Sequence, residues 1–225
     1  VVTESDLDEL LNDCPTLYHM AERESWTSIR ENGLLSTTAL LDRYDLKGAA
    51  RFAIEAQRRP VEVVLSEADG GRVVVRDQAP MDDRGLTRCL EGDLVPGDWY
   101  RLLNAKVFFW LTRERLLRLL NAGTYRGEEH DVLELDARAL VASYRNAVWL
   151  CPINSGCTKP FPHPRGSSTF RRIPEYPYVH WKTKRKRGER AVELAVDYAV
   201  PDVAKFVKRV SRMKGSETHS ILFEA

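Results

Sequence analysis

The sequence predicts an α+β fold, and three observations carry that expectation. Short apolar runs of strand length recur along the chain, from Leu17-Tyr18-His19 through residues 107–111 to residues 191–196. Segments with helical spacing of apolar residues lie between them, several opening on a serine, threonine or aspartate able to cap a helix. One long stretch, residues 151–188, shows neither period.

A chain of 225 residues is long enough to bury a proper core, and one domain over residues 1–225 is expected. Hydrophobic residues at 43% and charged residues at 30% indicate a folded protein in water. No apolar run approaches the roughly 18 to 20 residues that span a bilayer, and no secretory leader pattern is visible. Cys14, Cys89, Cys151 and Cys157 lack the tight pair spacing of a disulfide framework, so reduced thiols and a cytoplasmic location without membrane partners are expected. The net charge of +1 hides an asymmetry. Residues 159–190 carry ten basic against two acidic side chains, a local +8, while the remainder has 24 against 31, or −7. That distribution points to a localised site for a polyanion.

Taken in order, residues 5–13 read as a short helix capped by Ser5, with Leu7, Leu10 and Leu11 on one face. Pro15 separates it from the opening strand, which ends on His19. Ser25 is placed to cap a helix with Trp26 and Ile29 on its apolar face, and Gly33 offers the left-handed backbone that stops it. Ser36 caps a second helix through Leu40 and Leu41, and a third spans residues 48–57 before Arg58, Arg59 and Pro60. Residues 61–65 and 72–76 read as a hairpin joined by Ala68-Asp69-Gly70-Gly71. Residues 80–104 are mostly helical, with Leu86, Cys89 and Leu90 on one face and Trp99, Leu102 and Leu103 on the next. The run at 107–111 reads as a buried strand, after which Thr112 caps a helix through Leu116 and Leu120. Strands at 131–135 and 147–150 flank another helix, capped by Asp136. After the aperiodic stretch come a strand at 191–196, a turn at Asp197-Tyr198, a short helix from Pro201 and a last strand at 206–210.

Walker, HExxH, nucleophile-elbow and dinucleotide GxGxxG motifs are absent. Cys151, Cys157 and His163 match no common zinc spacing, so no metal is expected. Glu193 stands mid-strand among alanines, valines and a leucine. Alternation puts it on one face with Ala191 and Ala195, either as the floor of a cleft or as an outward side chain on an edge strand. His19 at a strand tip is either structural or chemical. The 151–188 stretch holds six prolines and sets Phe161, Phe170, Tyr176, Tyr178 and Trp181 among its basic residues. Such rings stack on bases while cations track phosphates, or else they pack the loop onto the domain around a solvated basic turn.

Two segments carry a resemblance. LYHMAERESWTSIRENGLLS, opening at Leu17, is similar to the histidine strand, helix and Gly-Leu-Leu turn of DarT-type ADP-ribosyltransferases, and RAVELAVDYAVPDV resembles their glutamate strand and Val-Pro turn. The resemblance implies a mixed β-sheet core of ADP-ribosyltransferase type, with peripheral helices and a long basic loop before the late glutamate strand. It implies NAD as cofactor. His19 would hydrogen-bond the ribose or carboxamide, Glu193 would hold a ribose hydroxyl, and Phe108, flanked by Phe109 and near Tyr18, would stack on nicotinamide where the family often has tyrosine. Arg58 or Arg59 falls in the segment bearing a functional arginine. Residues 151–189 would recognise a DNA or RNA acceptor through Trp181, Lys182, Lys184, Arg185, Lys186, Arg187, Arg171 and Arg172. The biological role implied is that of a bacterial toxin or antiphage effector with an antitoxin or immunity protein as partner. The alternatives are an RNA 2′-phosphotransferase and a non-catalytic nucleic-acid-binding module on the same fold.

Overall fold

The computed structural model describes residues 2–66 and 72–225, and its fold is α+β. An eight-stranded sheet runs in the order β12 (Glu217–Glu224), β11 (Val207–Lys214), β6 (Glu129–Asp136), β1 (Thr16–Glu22), β5 (Lys106–Trp110), β9 (Glu193–Asp197), β7 (Val148–Cys151), β8 (Arg171–Arg172). The strands that matter for function are β1, β5, β6, β7 and β9. Every ladder in the sheet is antiparallel, which corrects the expectation of a mixed sheet.

One face of the sheet carries the main core. Leu7, Leu10 and Leu11 of α1 (Glu4–Asp13), Trp26 and Ile29 of α2 (Trp26–Asn32), and Leu140 and Val141 of α8 (Ala137–Tyr144) pack on Leu17, Phe109, Leu133, Leu135 and Leu194. The alternation of strand side chains sends Ala195 and Val132 to the other face. There Ala195 meets Leu86, Trp99 and Leu103 of α5 (Asp83–Cys89) and α6 (Pro96–Asn104), and Val132 meets Leu116 and Leu120 of α7 (Arg113–Leu120).

Several caps are where the residue types put them. Ser36, Thr112 and Asp136 each accept the backbone N–H three residues on, opening α3 (Thr37–Arg43), α7 and α8. Two caps differ. Thr3, not Ser5, opens α1 through a reciprocal box with Asp6. Ser25 makes no side-chain cap; the Asp131 carboxylate of β6 accepts the Trp26 N–H at 3.1 Å instead. Gly33 does end α2, at φ +82°, and a Cβ there would lie 2.4 Å from the Pro201 backbone. That close approach lets β2 (Leu34–Leu35) pair with β10 (Ala199–Val200).

The third helix, α4 (Gly48–Glu55), stops short of Gln57. The hairpin forms from β3 (Val63–Ser66) and β4 (Arg72–Val75); its expected turn at 68–71 lies outside the described residues. β5 alternates between buried and half-buried positions rather than being buried throughout. Residues 151–188 are not structureless, since they contain β8 (Arg171–Arg172), a 3₁₀ turn and α9 (Tyr178–Lys184). The strand expected to be last is β11 (Val207–Lys214), and it turns at Gly215 into β12 (Glu217–Glu224). Among the described residues no helix is long and apolar enough to cross a membrane.

Candidate functional site

The sheet opens at its middle. β1 pairs with β6 over its whole length, and β5 with β9 likewise, but β1 and β5 share one pair only, Tyr18 with Trp110. Beyond it the strands part, and the His19 imidazole takes the place of the missing ladder, with Nδ1 2.8 Å from the Phe108 carbonyl oxygen. Burial holds the imidazole neutral, pulling its pKa down to about 4. A carbonyl only accepts, so Nδ1 carries the proton and Nε2 is left as an acceptor.

The parting strands leave two cavities. The outer, about 840 Å³, runs from the end of β1 past α2, residues 33–37 and β4 to the start of β5. The inner, about 280 Å³, contains Tyr18, Arg59, Asn104, Trp110, Ser155 and Glu193. They share His19, Met20, Thr37, Arg76, Lys106 and Phe108.

Glu193 belongs to a cross-strand row, Tyr18–Trp110–Glu193–Cys151, spanning β1, β5, β9 and β7. β9 is interior to the sheet, so the edge-strand alternative is excluded. The side chain is 4% exposed, and its oxygens accept the Ser155 N–H at 3.1 and 3.3 Å. Burial pushes its pKa up to about 7, against the opposing pull of the Ser155 and Cys151 hydrogen bonds and the Arg165 charge. Arg165 fixes this arrangement. Its Nη1 donates to the Ser155 carbonyl at 2.8 Å and its Nη2 to the Cys157 carbonyl at 2.8 Å, with its guanidinium over the Trp99 ring at 5.6 Å. Fully buried, Arg165 is not available to a polyanion, although it counts toward the basic segment.

Of the two adjacent arginines, Arg59 reaches the inner cavity. It is 6% exposed and donates to the carbonyls of Ile54 and Arg76 and to Asn104 Oδ1. Burial pulls its pKa down to about 10. Arg58 turns to the Ala79 carbonyl instead. Phe108 is half-buried and faces both cavities, whereas Phe109 is 1% exposed in the main core with its ring centroid 5.8 Å from that of His19. Tyr18 lines the inner cavity beside Trp110.

Sequence reasoning missed Arg76, Asn104, Lys106 and Ser155. Arg76 was legible only as the end of a hairpin strand. The other three sit at an element end or in a loop, where no periodicity marks a residue as inward.

The basic segment is divided. Lys182 pairs with Glu9 at 2.5 Å, Arg187 with Asp13 at 3.1 Å, and Arg190 with Glu9 at 2.7 Å, so the acidic face of α1 answers part of the charge. Arg185 lies 4.1 Å over the Trp181 ring, and Arg172 lies 3.9 Å over Trp149 while pairing with Asp197. Phe170, Tyr176 and Tyr178 are buried, so packing claims these three rings. Phe161, Lys184 and Lys186 are exposed. Arg171, Trp181 and Arg185 line a third cavity of about 300 Å³ with His163, apart from the Glu193 cavity. The Cys151 and Cys157 sulfurs face the Ile153 and Lys159 carbonyls, and no metal-holding cluster occurs among the described residues.

Neither the curated proteins nor the solved structures contain a match to this chain. A family model, described as a family of unknown function, DUF7002, matches residues 15–207, a span that includes His19, Arg59, Arg76 and Glu193. The chain therefore belongs to the DUF7002 family.

Proposed function

We propose that this protein is an NAD-dependent ADP-ribosyltransferase of DarT-like type that modifies nucleic acid. The observation that carries the reading is the convergence of His19, Phe108 and Glu193 on one cavity at the parting of β1 and β5. The residues fit the molecule in kind. The outer cleft has the size of a small-molecule or cofactor site, Phe108 offers an apolar face, and His19 Nε2 offers an acceptor to a ribose hydroxyl or carboxamide amine.

NAD supplies a glycosidic bond already activated by its cationic nicotinamide. Glu193, once ionised, sets a negative charge in a water-poor cavity against the positive charge that builds on the ribose carbon as that bond breaks. The Ser155 N–H orients the carboxylate, and Arg165 holds Ser155 in place. Arg59 braces the cavity through backbone carbonyls and Asn104. Support for a nucleic-acid acceptor comes from the exposed Lys184, Lys186 and Phe161 of the loop. The toxin or antiphage role and the antitoxin partner rest on the resemblance of the two quoted segments, and the cytoplasmic location rests on the scattered spacing of the four cysteines.

The test is incubation with adenylate-labelled NAD and separate DNA, RNA and protein pools at pH 8, following label transfer and nicotinamide release. Transfer to a nucleic-acid pool is expected, with at least about a hundredfold loss in Glu193→Gln. Absence of both transfer and nicotinamide release from every pool would refute the reading.

A further inference from the structure

We infer that Arg76 is the diphosphate-binding residue of this site, holding the bridge of a dinucleotide whose two halves occupy the two cavities. The inference rests on the transferase reading for the identity of the dinucleotide, but its geometry stands independently. Arg76 follows β4 directly and is one of the six residues common to the outer and inner cavities. A dinucleotide is two nucleosides joined by a doubly charged link, so the ligand charge falls where the cavities meet.

The other cations of the outer cleft are engaged. Arg23 pairs with Glu24 and Glu129, Lys106 pairs with Asp197, and Arg43 has a partner of its own. Arg76 has no carboxylate within ion-pair distance among the described residues. Glu22 lines the same cleft beyond that distance, close enough for its acidity to feel the Arg76 charge. The guanidinium is held by uncharged groups. It lies 5.1 Å from the centroid of the Tyr125 ring, and Nη1 is 3.4 Å from His130 Nδ1. Tyr125 is in turn anchored by its hydroxyl to Asp77 at 2.8 Å, and His130 is fully buried. These contacts aim the guanidinium while leaving most of its five donors to a ligand, and its planar fork suits phosphate oxygens.

The probes are inorganic pyrophosphate, ADP-ribose, adenosine and nicotinamide, titrated by calorimetry into the wild-type, Arg76→Gln and Arg76→Lys proteins, each first checked by thermal melting. In the wild type, ADP-ribose is expected to bind at least tenfold more tightly than adenosine. Arg76→Gln is expected to weaken pyrophosphate and ADP-ribose by about tenfold to a hundredfold, the range for one charge-assisted contact, with nicotinamide unchanged. Arg76→Lys should recover part of the loss. A folded Arg76→Gln protein that binds ADP-ribose as the wild type does overturns the inference, as does a wild type that binds adenosine and ADP-ribose equally. If binding depends on Arg76 while NAD is never cleaved, the diphosphate site stands and the transferase reading falls. If NAD is cleaved with the same KM in wild type and Arg76→Gln, the transferase reading stands and this inference falls.

Discussion

Replacing Glu193 by glutamine is expected to stabilise the protein at high pH while disabling it. In the folded chain Glu193 keeps its proton up to about pH 7, against an ordinary value of 4.5 in the unfolded chain. Between those values the folded state binds the additional proton, so the free energy of unfolding falls as pH rises through this window. The gap is worth about 3 kcal/mol once pH is well above 7, and nothing below about 4.5. Glutamine keeps the shape, and its carbonyl oxygen can still accept the Ser155 N–H, but it cannot ionise. Its own packing offset is independent of pH and cancels when the two proteins are compared across a series. Urea unfolding of wild type and Glu193→Gln at half-unit steps from pH 5 to pH 9 therefore gives curves that separate by about 3 kcal/mol toward the alkaline end, with the variant above. The transferase rate of the wild type should rise over the same interval, because the ionised carboxylate is the form that faces the developing cation. Parallel stability curves would show that Glu193 ionises as it would in water, and the burial argument for its catalytic role would fail.

Other changes separate structural from functional claims. Gly33→Ala forces a side chain onto a backbone at φ +82° and within 2.4 Å of Pro201, so a loss of at least about 2 kcal/mol is expected by denaturant unfolding; an unchanged midpoint would mean that β2 and β10 are not locked together as described. Arg59→Met leaves the Ile54 and Arg76 carbonyls without their donor and Asn104 Oδ1 with only the Gln78 amide at 3.4 Å, and should cost about 3 kcal/mol, whereas Arg58→Met loses one bond to Ala79 and should cost about 1 kcal/mol; equal losses would remove the distinction drawn between them. Lys184→Ala with Lys186→Ala removes exposed charge without touching Arg185, which packs on Trp181, or Arg187, which pairs with Asp13. If both lysines contact phosphates, the salt dependence of nucleic-acid binding flattens by about 1.4 for a single strand and about 1.8 for a duplex, and an unaltered slope moves the acceptor off this segment.

What the sequence shows of this fold follows from which forces act locally. Ser36, Thr112 and Asp136 announce their helices because a cap is a contact over three residues, and Leu7, Leu10 and Leu11 announce a buried face because helical period is a local property. The missed elements are those whose stability comes from elsewhere. α9 is seven residues long between prolines and basic residues, and it is held by Tyr178 in the core and by the ion pair from Lys182 to Glu9 of α1. β12 is an edge strand with four polar residues before Ile221, and it has no apolar alternation to display until β11 pairs with it. The same division runs through the site. Glu193 and His19 stand out because each breaks a local apolar pattern, while Arg76 looks like any polar residue at the end of a hairpin. Only the parting of β1 from β5, fixed by pairings more than eighty residues apart, leaves the two cavities that Arg76 lines and makes it part of the same site as Glu193.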